Sequence, residues 1–204
     1  MSVASFALLF LLEFFMGSLM FSYWLGKIKG KDITQTRDGN PGGSNLGRML
    51  GWKWGMAGIV LDFLKGFIPL VFIAEMGILQ GWQLAVVAVA PVLGHAFSPF
   101  MKFSGGKAVA VTFGVWSALT RWEVPVLIGT IFTLFSVSRA ISKKGKTTPE
   151  EDAARVFIGM FSVLIYALFR GSPYLIIVWL INFGVILLKH SSEAKKLYRS
   201  LKRS

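Results

Sequence analysis

Asp38-Gly39-Asn40-Pro41-Gly42-Gly43-Ser44-Asn45-Leu46-Gly47-Arg48 is a polar, glycine-dense stretch set between two apolar segments, at about 3–26 and 54–75. Each segment is long enough to enter a bilayer, which asks for about 20 residues. Loops beyond about 12 residues with no structure of their own are functional or disordered as a rule, and 27–53 is glycine-patterned rather than merely polar. Asn40-Pro41-Gly42 predicts a tight turn, because Pro fixes φ and Gly accepts positive φ. Gly42 and Gly43 then leave backbone N–H groups uncovered, a surface suited to oxyanions. Arg48 adds a guanidinium able to bind phosphate through two parallel hydrogen bonds. The stretch reads as half of an active site at a membrane surface.

Working outward, further apolar stretches fall at about 82–101, 108–120, 124–141, 156–169 and 173–188. The chain has 204 residues, 54% hydrophobic and 16% charged, with mean hydropathy +0.61. Soluble domains carry about 25% charged residues. The expected fold is therefore an all-α integral membrane protein, a single polytopic domain over 1–204 built as a bundle of about seven transmembrane helices. Residues 3–26 lack a basic leader and a small-residue cleavage site, so they read as a retained span. With no cysteine and two histidines, neither a disulfide framework nor a thiolate metal site is available, and no metal or other cofactor is expected.

The net charge of +12 would raise nucleic-acid binding in a soluble protein, but here the cations follow topology and no nucleic-acid partner is expected. With seven crossings and an outside N-terminus, 19 of the 22 Lys and Arg fall on one side, only Arg121 and Arg170 on the other, and Lys65 within a span. The positive-inside rule makes the crowded side cytoplasmic. It holds the glycine-rich loops and the C-terminus, in a plasma-membrane protein. Trp24, Trp52, Trp54, Trp82 and Trp122 sit near span ends, where indoles anchor at the interface.

Ionisable residues within spans need a reason. Asp62 and Lys65 stand three apart on one helix face, which predicts an ion pair. Glu13 has no local partner, so a neutral or surface-facing carboxyl is expected. Gly55 and Gly58, like Gly17-Ser18, predict close helix packing. Pro91, Gly94 and Pro99 predict a broken third span lining a cavity, with His95 in it as a structural hydrogen-bonder.

Ser104-Gly105-Gly106-Lys107 precedes the apolar run from Ala108, placing the glycines at a helix N-terminus where free N–H groups and the dipole attract anions. The spacing of a nucleotide P-loop is absent. Lys107 and Arg48 face one membrane side and suit two phosphate groups. Lys189-His190-Ser191-Ser192-Glu193 closes the last span, and His190 is the titratable group best placed to handle protons near neutrality. No G-x-S-x-G elbow is present, so an acyl transfer here needs an already activated donor.

Order, spacing and membrane context together resemble the bacterial acyl-phosphate:glycerol-3-phosphate acyltransferases. The likeness runs through Gly17 to Asn45, Arg48, Gly51, Asp62-x-x-Lys65-Gly66, Gly94-His95-x-Phe97, Phe103 to Lys107, Ser138 to Ser142, and His190. The resemblance implies a seven-helix enzyme that uses acyl phosphate and glycerol 3-phosphate at a cytoplasmic site in contact with membrane lipid. By that likeness Asp38, Gly39, Asn40, Gly42, Asn45 and Arg48 bind phosphate. Gly105, Gly106 and Lys107 cradle the acyl phosphate, and Ser142, His190 and Glu193 border the acceptor. Lys107 and His190 carry the catalysis. Several residues depart from the family pattern: Asp38 replaces Ser, Gly43-Ser44 replaces Ala-Thr, Ala108 replaces Gly, Glu193 replaces Asn, and a charged insert follows Ser142. Two carboxylates where an anionic substrate is expected imply one of two outcomes. Either Glu193 pairs with Lys189, Lys196 or Lys107, or the acceptor is not anionic at that point; an acyltransferase for another polyol-phosphate acceptor is the alternative within enzymes. A membrane transporter of organic anions is the reading from a different class.

Overall fold

The structure, a computed structural model, describes residues 2–143, 145 and 147–202; Lys144, Lys146 and Arg203 of the loop cations lie outside the described residues. The first apolar stretch is helical but broken. Helix α1 (Val3–Ser18) stops at Leu19, and α2 (Phe21–Ile28) resumes after Met20. The polar loop carries α3 (Gly43–Leu50), followed by α4 (Trp52–Glu75), α5 (Gly81–Ala96), α6 (Val109–Thr120), α7 (Glu123–Ile141), α8 (Pro149–Phe169), α9 (Pro173–Lys189) and α10 (Ser191–Leu201). The described residues contain no strand. This is an all-α membrane protein, with the seven apolar stretches in the expected order.

Five of those stretches are long and apolar enough to cross a bilayer: Val3–Ile28, α4, Gly81–Met101, α7 and α8. Helix α9 reaches that length only together with α10, from which it is bent by 79°. Helix α6 has 12 residues, a rise of about 18 Å against a hydrocarbon core of about 30 Å. Its Val111, Val115 and Trp116 are fully buried, so protein surrounds it. Irregular backbone at membrane depth is tolerated where protein or a cavity covers it; in the segment between α5 and α6, Ser98, Gly105, Gly106 and Ala108 are covered, while Phe100 and Phe103 are exposed. Leu8, Phe72, Leu134 and Ile165 point outward, as does Trp122 at the start of α7. That apolar exterior is what lipid covers.

Glycines set the helix contacts. A Cβ on Gly17 would fall 2.2 Å from Pro91 O, and one on Gly94 would fall 2.0 Å from Phe14 O, so α1 and α5 touch backbone to backbone. Likewise a Cβ on Gly55 would lie 2.7 Å from the Gly47 Cα, which seats α3 on α4. Pro91 does not break the third span. Helix α5 runs through it to Ala96, and the break comes at Phe97 and Ser98. The break in α1–α2 lies beside it: Ser98 Oγ donates to Ser18 O at 2.7 Å, and Lys65 Nζ donates to Leu19 O. Two carbonyls freed at the α1–α2 break are thereby satisfied by side chains, which is what lets the first span kink.

The charged insert is built into the fold. Thr148 and Glu151 form a capping box that starts α8. Asp152 pairs with Arg37 at 2.8 Å, Glu151 with Arg139 at 2.5 Å, and Glu150 with Lys196 at 2.8 Å, tying α8 to the first loop, α7 and α10. Glu13 is fully buried in α1, not surface-facing, and neither carboxyl oxygen finds a partner among the described residues.

Candidate functional site

A cavity of about 410 Å³ opens where the N-termini of α3 and α6 meet α4, α8 and His190. The first amides of each helix have no intrahelical acceptor, and Gly43, Ser44, Val109 and Ala110 line the space. Two positive dipole ends therefore face one volume. Ile59, Val60, Phe63, Phe113, Phe132 and Val156 form an apolar flank. One side of the cavity suits anions and the other a hydrocarbon chain.

Lys107 lies between the two sides. Its Nζ is 2.6 Å from Asp38 Oδ2 and 2.7 Å from Glu193 Oε1, while its backbone N–H donates to Asn40 Oδ1 at 3.1 Å. Burial works to raise both carboxyls, but the hydrogen bonds from Lys107, with Asn45 on Asp38 and Ser192 on Glu193, outweigh it and hold both below their ordinary range. Both acidic departures from the family pattern thus pair with the same lysine, one of the pairings expected for Glu193. Asn45 organises the loop beneath, its Nδ2 lying 2.9 Å from Thr36 O, 2.9 Å from Asp38 Oδ1 and 3.0 Å from Asn40 O. The chain reverses at Thr36–Gly39, where Arg37 and Gly39 take φ of 54° and 71°. At the expected turn, Asn40 and Pro41 have no regular structure, and Gly42, with φ −99° and ψ 171°, is the N-cap of α3.

His190 sits at the C-cap of α9 with Nδ1 2.8 Å from Ile186 O. A carbonyl only accepts, so Nδ1 carries the proton and Nε2 keeps a free lone pair. Burial pushes this imidazole below its ordinary pKa, so it is neutral at neutral pH. Deeper in the cavity wall, Asp62 pairs with Lys65 at 2.8 Å, as expected, and Lys65 also meets His95 Nδ1 at 2.8 Å. Ser22 Oγ donates to Asp62 Oδ2 at 2.6 Å.

Of the residues singled out in the sequence, Asp38, Asn40, Gly42, Asn45, Lys107 and His190 line the cavity, and Glu193 reaches it through Lys107. Gly39 belongs to the turn. Arg48 is exposed in the last turn of α3, and Ser142 is exposed at the C-cap of α7; the structure leaves both outside the cavity. Gly105 and Gly106 do not offer free amides. Their N–H groups donate to Ala96 O and His95 O, each at 3.1 Å. They are glycines for space: a Cβ would fall 2.0 Å from His95 O at 105 and 2.3 Å from His95 Nε2 at 106. Sequence reasoning passed over Arg37 and Arg155, which line the cavity and both pair with Asp152, at 2.8 and 3.0 Å. The available signal was an acidic cluster in an insert together with an arginine next to Asp38. It placed Asp62 and His95 in a structural role, yet both line the cavity.

A model of the glycerol-3-phosphate acyltransferase family matches residues 7–200. Glycerol-3-phosphate acyltransferase 1 of Thermotoga maritima is 46% identical over 195 residues, covering 93% of this chain and 96% of that one. The glycerol-3-phosphate acyltransferase of Thermosipho melanesiensis is 30% identical over 190 residues, covering 93% of this chain and 88% of that one. Crystal structures of PlsY, an integral membrane glycerol 3-phosphate acyltransferase, in its glycerol 3-phosphate and lysophosphatidic acid forms, share 26% identity with this chain. Their TM-scores are 0.78 and 0.75, and they cover 96% of this chain. By sequence over nearly its whole length, and by fold, this chain belongs to the glycerol-3-phosphate acyltransferase family.

Proposed function

We propose that this protein transfers a fatty acyl group from acyl phosphate to the sn-1 hydroxyl of glycerol 3-phosphate, giving lysophosphatidic acid for phospholipid synthesis. The observation that carries the reading is Lys107, set where two helix N-termini converge and flanked by an apolar wall. The donor's phosphate lies against Lys107 and the first turn of α6, with its acyl chain along Phe63, Phe113 and Phe132. The acceptor's phosphate lies toward Arg37, Arg155 and the N-terminus of α3. Asp38, Asn40 and Asn45 shape that end of the cavity, and Glu193 holds Lys107 until substrate arrives.

The acceptor oxygen attacks the acyl carbon, the ester C–O bond forms, and the anhydride C–O bond breaks to release inorganic phosphate. His190 Nε2 accepts the hydrogen bond of the attacking hydroxyl, takes its proton as the ester bond forms and passes it to the departing phosphate. Lys107 and the helix amides stabilise the charge that grows on the leaving phosphate. No protein nucleophile is required.

The orientation proposed is N-terminus outside, with site and C-terminus cytoplasmic, in the plasma membrane. A cysteine at Ser200 is then labelled only from the cytoplasm and one at Gly171 only from outside; labelling of both from one side overturns the orientation. The activity is tested by incubating purified protein with palmitoyl phosphate and a panel of polyol phosphates, measuring lysolipid and inorganic phosphate. Stoichiometric lysophosphatidic acid with glycerol 3-phosphate supports the reading. Product with a different acceptor alone, or none at all, overturns it.

A further inference from the structure

The two histidines of this chain both line the cavity, but their hydrogen bonds lock them in opposite forms. His190 donates through Nδ1. His95 is the reverse case, and Lys65 decides it. An ammonium has three N–H donors and no acceptor. Lys65 Nζ donates to Leu19 O, meets His95 Nδ1 at 2.8 Å and is ion-paired with Asp62 Oδ1 at 2.8 Å. The Asp62 carboxylate, which also accepts from Ser22 Oγ, holds the charge on Lys65 in place. His95 Nδ1 must therefore accept, and the ring proton resides on Nε2.

That Nε2–H has no acceptor among the described residues, although His95 is only 3% exposed. It faces Gly106, one residue from Lys107, where a Cβ would fall 2.3 Å from Nε2. His95 lines the cavity, so this donor opens on the space a substrate occupies, and a ligand oxygen there can accept from it. From this arrangement we infer that His95 is a further substrate-contacting residue, donating Nε2–H to a phosphoryl oxygen of the acyl phosphate, with Lys65 and Asp62 as positioning residues that set its tautomer. The ligand's identity rests on the acyltransferase reading; the tautomer and the open donor do not. Gly106 makes room for the imidazole, and the main chain keeps the ring in register, since His95 O accepts from Gly106 N–H at 3.1 Å.

The test is nitrogen NMR on detergent-solubilised protein labelled at imidazole nitrogen, with His190→Gln used to assign the His95 signals. Expected are a neutral His95 protonated on Nε2, and an Nε2 resonance that moves with inorganic phosphate but not with sodium chloride at equal ionic strength. A proton on Nδ1, or an Nε2 signal indifferent to phosphate, overturns the inference. In turnover, His95→Leu should lose about ten- to hundredfold in kcat/KM, the loss of one hydrogen bond to a charged group. His95→Gln, whose amide donates from a similar reach, should lose less than about threefold on the same scale. Equal losses in two variants that melt like the parent would reduce His95 to packing and overturn the assignment. If wild-type protein makes no lysolipid, the proposed activity fails while the NMR result still decides His95.

Discussion

Lys65 and Lys107 are both lysines held by carboxylates, one midway along α4 and the other just before α6, yet their surroundings give them different work. Lys65 is 1% exposed, hydrogen-bonded to Leu19 O and His95 Nδ1 and ion-paired with Asp62. Its partners are a kinked backbone, an aspartate and an imidazole, none of which can leave. Lys107 is 16% exposed and sits between two carboxylates at the cavity wall, on side chains that can rotate away. The saturated lysine holds the fold together at membrane depth. The lysine held by movable partners is free to exchange a carboxylate for a phosphate. Position relative to solvent, more than residue type, separates support from chemistry.

The sharpest break between the two comes from deleting each charge. Lys65→Met leaves Asp62 buried without its counter-charge and Leu19 O without its donor, a loss of about 3–5 kcal/mol. It should appear as a large fall in melting temperature in detergent. Lys107→Ala should melt close to the parent yet lose about 10²–10³ in turnover, the effect of removing one stabilising group at a developing charge. A Lys107→Ala protein that keeps parental lysolipid production would place the donor phosphate elsewhere.

Smaller effects sharpen the picture of the clamp. Glu193→Asn removes one of two partners of Lys107, and a change of less than about tenfold in the KM for glycerol 3-phosphate is expected, within 1.4 kcal/mol. A far larger loss would make Glu193 a direct contact of the acceptor. The pH dependence follows from the lowered carboxyls of Asp38 and Glu193. Their contribution to stability is complete above the unfolded range of about pH 4 to 5 and is lost as pH falls through their lower native values. Melting curves of the parent and of Asp38→Asn/Glu193→Gln should therefore differ at pH 7 and converge in acid. Arg37→Gln breaks a partly exposed pair with Asp152 and should change stability by less than about 1 kcal/mol. It should still weaken glycerol 3-phosphate binding, read as a raised KM with kcat kept.

Much of this was legible in the chain. Seven apolar stretches appear as helices in order, because hydropathy over a whole stretch reports burial in lipid whatever the neighbours are. The Asp62–Lys65 pair was legible because three residues along a helix is a fixed distance. The glycines were legible as important but not in their role. Gly105 and Gly106 were expected to expose amides, and instead make room for His95. That difference depends on what stands opposite them, which no local pattern records.

By itself the sequence determined that the chain is helical and membrane-embedded, and that Lys107 and His190 belong with the polar loop at 38–48. These follow from local period, span length and charge asymmetry. Only the tertiary structure decided that Arg37 and Arg155 enter the cavity while Arg48 and Ser142 stay outside it. It alone decided that both extra carboxylates clamp one lysine, and that the two histidines carry their protons on opposite nitrogens. Most of those outcomes are set by a partner 30 or more residues away in the chain or by the rotation of a helix about its axis, as with Lys65 on His95 and Glu193 on Lys107, while the His190 proton is set locally by Ile186 O. Residue order constrains such pairings only through the packing of the whole bundle.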